Sequence, residues 1–266
     1  MSEILSKIDR AGHIVVISHV DPDADTLGSA SAMYTFLLQK HKKVSWFCKT
    51  ERVDNRFSCI PWYEKIKSSF VLSADLAISF DCADKSRMGA EYDCELINID
   101  HHSSNDEFAT LNLVYPDAIS TTEVLYRFFK DNGIKINKKM ATALYAGILE
   151  DSKGFLSQNT DGTTFAVVQE LIELGADFKI CNDHLMKRVS LAALKLKSIM
   201  FKNMYLLNDA KIAFFCLNQE DMRSTGAQDR ECEAALEESL YLDYVKVAVL
   251  LQERDDFSIK GSIRSK

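Results

Sequence analysis

Hydrophobic and polar positions divide the chain into two regimes. In the first, up to about residue 183, short apolar runs alternate with longer stretches of helical spacing. "HIVVIS" at 13–18 reads as a buried strand, and 27–41 follows as a helix with Leu27, Met33, Phe36 and Leu37 along its apolar face. "VSWFC" at 44–48 reads as a second strand. "LAISF" at 76–80 and "ELINI" at 95–99 are short, fully apolar runs of the kind that parallel sheets bury on both faces. Helical patterns follow at about 120–131, 138–149 and 162–174, with glycine near helix ends in "DNGIKIN" and "ELGADF". Strands alternating with helices predict a doubly wound, mainly parallel α/β domain.

The second regime opens with "HLMKRVSLAALKLKSIMFKNM" at 184–204, an amphipathic stretch without glycine or proline that reads as a linker helix. Beyond it come a strand ("AKIAFFCL"), a helix ("RECEAALEESLYL") and two more strands ("YVKVAVLLQE" and "SIKGSIRS"), a pattern of hairpin-like strands around a helix. The expected organisation is a first α/β domain at 1–183, a linker helix at 184–204 and a smaller C-terminal α/β domain at 205–266.

Composition narrows the class. A chain of 266 residues has room for two cores, and 47% apolar with 27% charged residues is the balance of a folded soluble protein. Apolar runs such as "KVAVLL" are too short to span a bilayer, and the acidic N-terminal stretch lacks a small-residue cleavage site, so neither a signal peptide nor a membrane partner is expected. Seven cysteines, an odd number without a C-x-x-C pair, argue against a disulfide framework and a thiolate zinc site. They read as free thiols in a reducing cytoplasm. A net charge of −7 disfavours a protein that tracks long nucleic acid; any nucleic-acid substrate should be a short piece held locally.

Within that acidic total, three motifs stand at the ends of expected strands: His19, Asp23 and Asp25 after "HIVVIS", Asp81 after "LAISF", and Asp100, His101 and His102 after "ELINI". Open parallel sheets build their sites at the carboxyl ends of strands, so these motifs should converge. Asp151 in "GILEDSKGFLSQNT" supplies a fourth acid. Carboxylates gathered in one cleft raise one another's pKa, and two divalent cations would make the cluster tolerable. Oxygen donors with imidazoles suit manganese, magnesium, iron or cobalt, and a shared carboxylate is the natural bridge of a two-metal site. A calcium loop beginning at Asp21 fails, because Thr26 stands where glycine is needed and Ala32 where glutamate is needed. An aspartyl-nucleophile phosphatase leaves the histidines and Asp151 without a role. The bland alternative is a solvated acidic turn with Asp25 as N-cap of the following helix.

The four motifs, in this order, resemble those of the DHH phosphoesterases: "SHVDPDADTLGS", "FDCADKSRMG", "DHHSSN" and "GILEDSKGFLSQNT", with "KGSIRSK" similar to the start of the DHH-associated substrate domain. "STTEVLYRFF" and "GSIRSK" favour the bacterial nanoRNase branch, which also removes the 3′-phosphate of 3′-phosphoadenosine 5′-phosphate. The resemblance implies a manganese-dependent hydrolase (magnesium or cobalt being the alternatives) in which water activated by two metals attacks phosphorus. It implies His19, Asp23 and Asp81 on the first metal, and Asp25, Asp81, His101 and Asp151 on the second. It leaves Asp21 unassigned, gives Asp100 the orienting of a neighbouring group, and turns His102 to the scissile phosphate. Arg264 and Ser262 would hold a remote phosphate, and Arg87 is a weaker candidate for the same task. A surface arginine on an edge strand is the alternative for Arg264, and a structural ion pair for Arg87. The expected partner is short RNA or a nucleotide, with a homodimer left open. Branch members continue past this point into a glycine-rich stretch ending in histidine; a member without it should lose substrate affinity rather than metal chemistry. Competing functions are a linear or cyclic dinucleotide phosphodiesterase, an inorganic pyrophosphatase, and a degenerate nucleotide sensor.

Overall fold

The computed structural model describes residues 3–266. In chain order the first part holds α1 (Glu3–Arg10), β1 (His13–Ser18), α2 (Ala24–Gln39), β2 (Lys43–Cys48), β3 (Ile66–Lys67), β4 (Leu76–Phe80), β5 (Glu95–Asp100), β6 (Leu111–Val114), α3 (Thr121–Asp131), α4 (Lys138–Asp151), α5 (Gly162–Glu173) and α6 (Phe178–Cys181). The second holds α7 (Leu191–Lys202), β7 (Tyr205–Leu207), β8 (Ile212–Leu217), α8 (Gln219–Thr225), α9 (Asp229–Ser239), β9 (Val247–Glu253) and β10 (Ile259–Ser265). They form two compact units, the first ending at Arg188 and the second spanning Val189–Lys266. Among the described residues no helix is long and apolar enough to cross a membrane, and no disulfide forms.

The first unit carries a six-stranded sheet in the order β3-β2-β1-β4-β5-β6, with all neighbours parallel. This is a doubly wound order, and its direction reverses between β1 and β4. The central strands β1 and β4 are buried along their whole length, as unbroken apolar runs require. Alternate residues serve the two faces. Ile14 and Val16 join Leu27, Phe36, Phe129 and Leu144 in the core beneath the helices. Val15 and Ile17 join Phe47, Met88 and Leu96 on the other face, which connecting loops cover instead of α-helices. Helix α2 lies against α4 so closely that a Cβ at Gly28 would stand 2.4 Å from the Ala143 carbonyl oxygen.

Several local readings change. Helix α2 begins at Ala24, ahead of the expected residue 27, because Asp23 caps it: its carboxylate accepts the N–H groups of Asp25 (3.1 Å) and Thr26 (3.0 Å). The cap is therefore Asp23 and not Asp25. Short strands β3 and β6 and helix α1 lack a long apolar period and were not anticipated. The stretch 184–204 is not one linker helix. A π-helical turn over Asn182–Lys187 ends in extended backbone at Arg188, and Ser190 then caps α7 by accepting the N–H of Ala193 at 2.9 Å. The break between units falls inside this stretch, and α7 packs on α8, α9 and β8 of the second unit.

The second unit is a four-stranded sheet ordered β10-β9-β8-β7. Its outer pairs are antiparallel, but β8 and β9 run parallel, so α8 and α9 form a crossover where hairpin-like strands were expected. One face buries Phe215, Leu217, Ala248 and Leu250 against Leu196, Met200, Cys232 and Leu236.

Candidate metal centre

The first three sequence motifs leave the sheet at its carboxyl edge. His19 directly follows β1, and Asp23 and Asp25 open α2. Asp81 follows β4 in the left-handed region (φ +60°), a conformation that aspartate tolerates better than most residues. Its N–H bonds to the Ile99 carbonyl at 3.0 Å, tying the turn to β5. His101 follows β5. Asp151 ends α4, one residue inside the helix rather than beyond it. β1 and β4 flank the reversal of strand order, so the first two motifs meet at the crevice that such sheets use for ligands.

Asp81 stands in the middle. Its Oδ2 lies 3.3 Å from His19 Nε2, and its Oδ1 lies 3.5 Å from His101 Nε2. His19 Nε2 also faces Asp23 Oδ2 at 3.6 Å, and His101 Nε2 faces Asp151 Oδ2 at 3.4 Å. Donor atoms thus converge in one group from His19, Asp23 and Asp81 and in a second from Asp25, His101 and Asp151. A third grouping joins Asp81, His101 and His102.

Backbone carbonyls orient both imidazoles alike. His19 Nδ1 donates to the Val20 carbonyl at 2.8 Å, and His101 Nδ1 to that of Ala118 at 3.3 Å. Each Nε2 is thereby left facing carboxylates, the tautomer metal-binding histidines need. His19 Nε2 is buried and has no hydrogen-bond partner. A neutral imidazole lone pair aimed at carboxylates is repulsive, so this atom calls for a proton or a cation. The proton's pull is visible in the pKa values. Burial alone would lower His19, but Asp23 and Asp81 outweigh it and push the ring up to about 10. Burial drives the Asp25 carboxyl well above its usual range, with Asp81 and Asp23 adding repulsion. Burial does the same to Asp151, reinforced by Asp25. Oxygen and imidazole donors in this arrangement fit a pair of hard or borderline divalent cations.

Asp25 shows how the fold supports such a carboxylate. It is fully buried, and its oxygens accept the N–H of Thr121 (2.7 Å), the N–H of Thr122 (2.9 Å) and the Thr122 hydroxyl (2.7 Å) at the start of α3. The Thr121 hydroxyl donates to Asp81 Oδ1 at 2.9 Å. Gly147 on α4 makes room: a Cβ there would sit 2.4 Å from Thr122 Oγ1 and 2.6 Å from Asp25 Oδ1. Neither threonine was singled out in the sequence, although three consecutive hydroxyls in "STT" before a helix are a capping signal.

Asp100 is buried and accepts from His102 Nδ1 (2.8 Å), from the His101 N–H (2.8 Å) and from Asn105 Nδ2 (2.6 Å). Burial would raise its carboxyl, but the bonds from His102 and Asn105 outweigh that and hold it below the usual range. In return Asp100 lifts His102 to about 8. Arg87 is exposed, with Nη2 3.3 Å from His19 Nδ1. That nitrogen's proton is given to Val20, so the approach is a packing contact. Asp21 is exposed and bonds through its N–H to the Thr50 hydroxyl at 2.8 Å. Ser262 and Arg264 lie apart from this cluster in sequence and unit, on the edge strand β10. Both bond to Glu233 of α9, at 2.6 Å and 2.9 Å.

Residues 13–148, which carry the first three motifs, match the family described as "DHH family, N-terminal domain". The chain belongs to the DHH family. Its relatives include the probable bifunctional oligoribonuclease and PAP phosphatase NrnA of Streptococcus mutans, 27% identical over 275 residues, covering 99% of this chain and 84% of the relative. Among solved structures, an exopolyphosphatase-related protein from Bacteroides fragilis shares the fold with a TM-score of 0.89 at 24% identity, over 99% of this chain and 82% of that one. RecJ of Thermus thermophilus in complex with Mn2+ shares it more loosely, at a TM-score of 0.54 and 14% identity, over 99% of this DHH chain and 46% of that one.

Proposed function

We propose that the chain is a phosphoesterase that cuts short oligoribonucleotides to mononucleotides and converts 3′-phosphoadenosine 5′-phosphate to AMP, with two divalent cations, manganese first. The observation that carries this reading is the Asp81 carboxylate, shared between His19 and His101 at 3.3 and 3.5 Å. The name of the Streptococcus mutans relative supports the substrates, and the Mn2+ complex of Thermus thermophilus RecJ supports the metal. His19, Asp23 and Asp81 would hold the first ion; Asp25, Asp81, His101 and Asp151 would hold the second. Bound there, the cations supply Lewis acidity toward a phosphoryl oxygen and toward water.

The chain's own residues do the rest. His102, fixed through Nδ1 by Asp100, offers Nε2 as a hydrogen-bond donor to a phosphoryl oxygen. No covalent intermediate is needed, and the nearby Cys82 thiol is buried and pushed far up by burial. Direct hydrolysis by water follows. The second unit takes the role of the substrate domain. There Arg264 exchanges Glu233 for a substrate phosphate, which a guanidinium can grip with two hydrogen bonds, while Arg87 reaches a phosphate nearer the first ion.

A product profile tests the reading. Purified protein with Mn2+ receives a ribodinucleotide, a short RNA, 3′-phosphoadenosine 5′-phosphate, a cyclic dinucleotide and pyrophosphate in parallel. Mononucleotides from the first two and AMP from the third are expected. Turnover of pyrophosphate or of the cyclic dinucleotide alone would overturn it.

A further inference from the structure

We propose that Glu150 is a positioning residue that holds the two metal-binding groups at their working separation, and that Arg56 holds Glu150 in place; this rests on the two-metal reading above. Glu150 precedes Asp151 in the last turn of α4. Its Oε2 accepts the backbone N–H of Ala24, the residue between Asp23 and Asp25. Its Oε1 accepts from Arg56 Nη2 at 2.7 Å. Asp23 belongs to the first donor group, and Asp25 and Asp151 to the second. One carboxylate therefore ties the peptide that joins the two groups to the helical turn that carries Asp151.

Arg56 is anchored independently of Glu150. It sits in a 3-10 turn, Asn55–Cys59, with its N–H on Asp54 Oδ1 at 2.9 Å. Its guanidinium lies over the Phe57 ring, 4.4 Å from the centroid, and its carbonyl accepts from His184 Nδ1 at 3.2 Å. A carboxylate near a helix N-terminus is commonly a simple cap. Here the cap of α2 is already Asp23, and Glu150 reaches the remaining N–H from another element. It does so beside Asp23 and Asp151, whose carboxylates repel it, where a neutral side chain would relieve the crowding. The feature that a neutral residue lacks is the simultaneous grip on Ala24 and Arg56.

The test uses Mn2+ alone as probe, with Glu150→Ala, Arg56→Gln and Arg56→Lys. Titration calorimetry counts the ions, electron paramagnetic resonance separates a spin-coupled Mn2+ pair from isolated ions, and melting of the metal-free proteins checks folding. Wild type should take two ions and show the coupled spectrum. Glu150→Ala and Arg56→Gln should hold one ion tightly and the second at least ~10-fold more weakly, the size of effect typical for groups that orient metal ligands. Their spectra should become those of isolated ions, and Arg56→Lys should fall between. For a dinucleotide, kcat should drop more than KM rises. Folded variants that bind two ions with wild-type affinity and coupling would overturn the proposal; if Glu150→Ala fails to fold, Arg56→Gln decides. A wild type that binds only one ion sinks the two-metal reading itself, and this proposal with it.

Discussion

Gly147→Ala is a sharp test of how the site is built. In an ordinary helix interior, alanine is favoured over glycine by about 1 kcal/mol. At this position the new Cβ meets Thr122 Oγ1 at 2.4 Å, Thr122 Cγ2 at 2.5 Å and Asp25 Oδ1 at 2.6 Å. Thr122 is β-branched and short, so it cannot swing aside as a long side chain would. Overpacking of this kind costs about 1–3 kcal/mol. Displacing Thr122 also breaks its hydroxyl bond to the buried Asp25 carboxyl, worth about 1–3 kcal/mol depending on charge. The losses exceed the propensity gain, leaving a net destabilisation of about 1–5 kcal/mol and a fall of several degrees in Tm. Asp25 should move with Thr122, so uptake of the second Mn2+ should weaken as well. Thermal melts and Mn2+ titrations of Gly147→Ala, Thr122→Ala and the double variant form a cycle in which Thr122→Ala reopens the space. The double variant should be more stable than the sum of the singles. A Gly147→Ala protein as stable as wild type with two-ion binding intact would refute the reasoning.

Other expectations follow from the same geometry. Asp81→Ala should lose the two-ion complex and nearly all turnover, since that carboxylate faces a histidine of each donor group; retained Mn2+-dependent activity would contradict the shared-ligand role. Because the Asp25 and Asp151 carboxyls are raised in the metal-free fold, Mn2+ must displace their protons, so affinity should climb as pH rises above the ordinary carboxylate range, with measurable proton release. A pH-independent titration would count against it. The metal-free fold should lose stability over the same range and beyond. The His19 contribution is complete below its unfolded value of 6.5 and disappears as pH rises through about 10, and chemical denaturation across that range measures it. Asp100→Asn should bring His102 down from about 8 toward its ordinary value, visible as a shifted imidazole resonance in NMR titration. Arg264→Ala should raise KM for dinucleotides more than it lowers kcat, and the reverse split would argue against remote phosphate binding.

The chain by itself determined which strands lie inside and where the acids fall. Runs as apolar as "HIVVIS" and "LAISF" show no alternating polar face, which marks them as interior parallel strands, and acids directly behind them fall at the carboxyl edge. The resemblance to the family motif also distinguished Asp23 and Asp25 from Asp21, which the fold leaves exposed. What the chain did not disclose depends on contacts between segments far apart in sequence. Strand order decides that β1 and β4 are neighbours, and therefore that His19 meets Asp81. Close crossing of α2, α3 and α4 decides that Thr122 serves Asp25 and that Gly147 must lack a side chain. The break at residues 188–190 escaped because an amphipathic period carries no record of a short extended segment inside it. The parallel pairing of β8 with β9 escaped because short strands do not encode their direction. Local pattern is written by each residue's own solvation preference; the distances that make a cluster of acids into a site arise only when separate elements share one core.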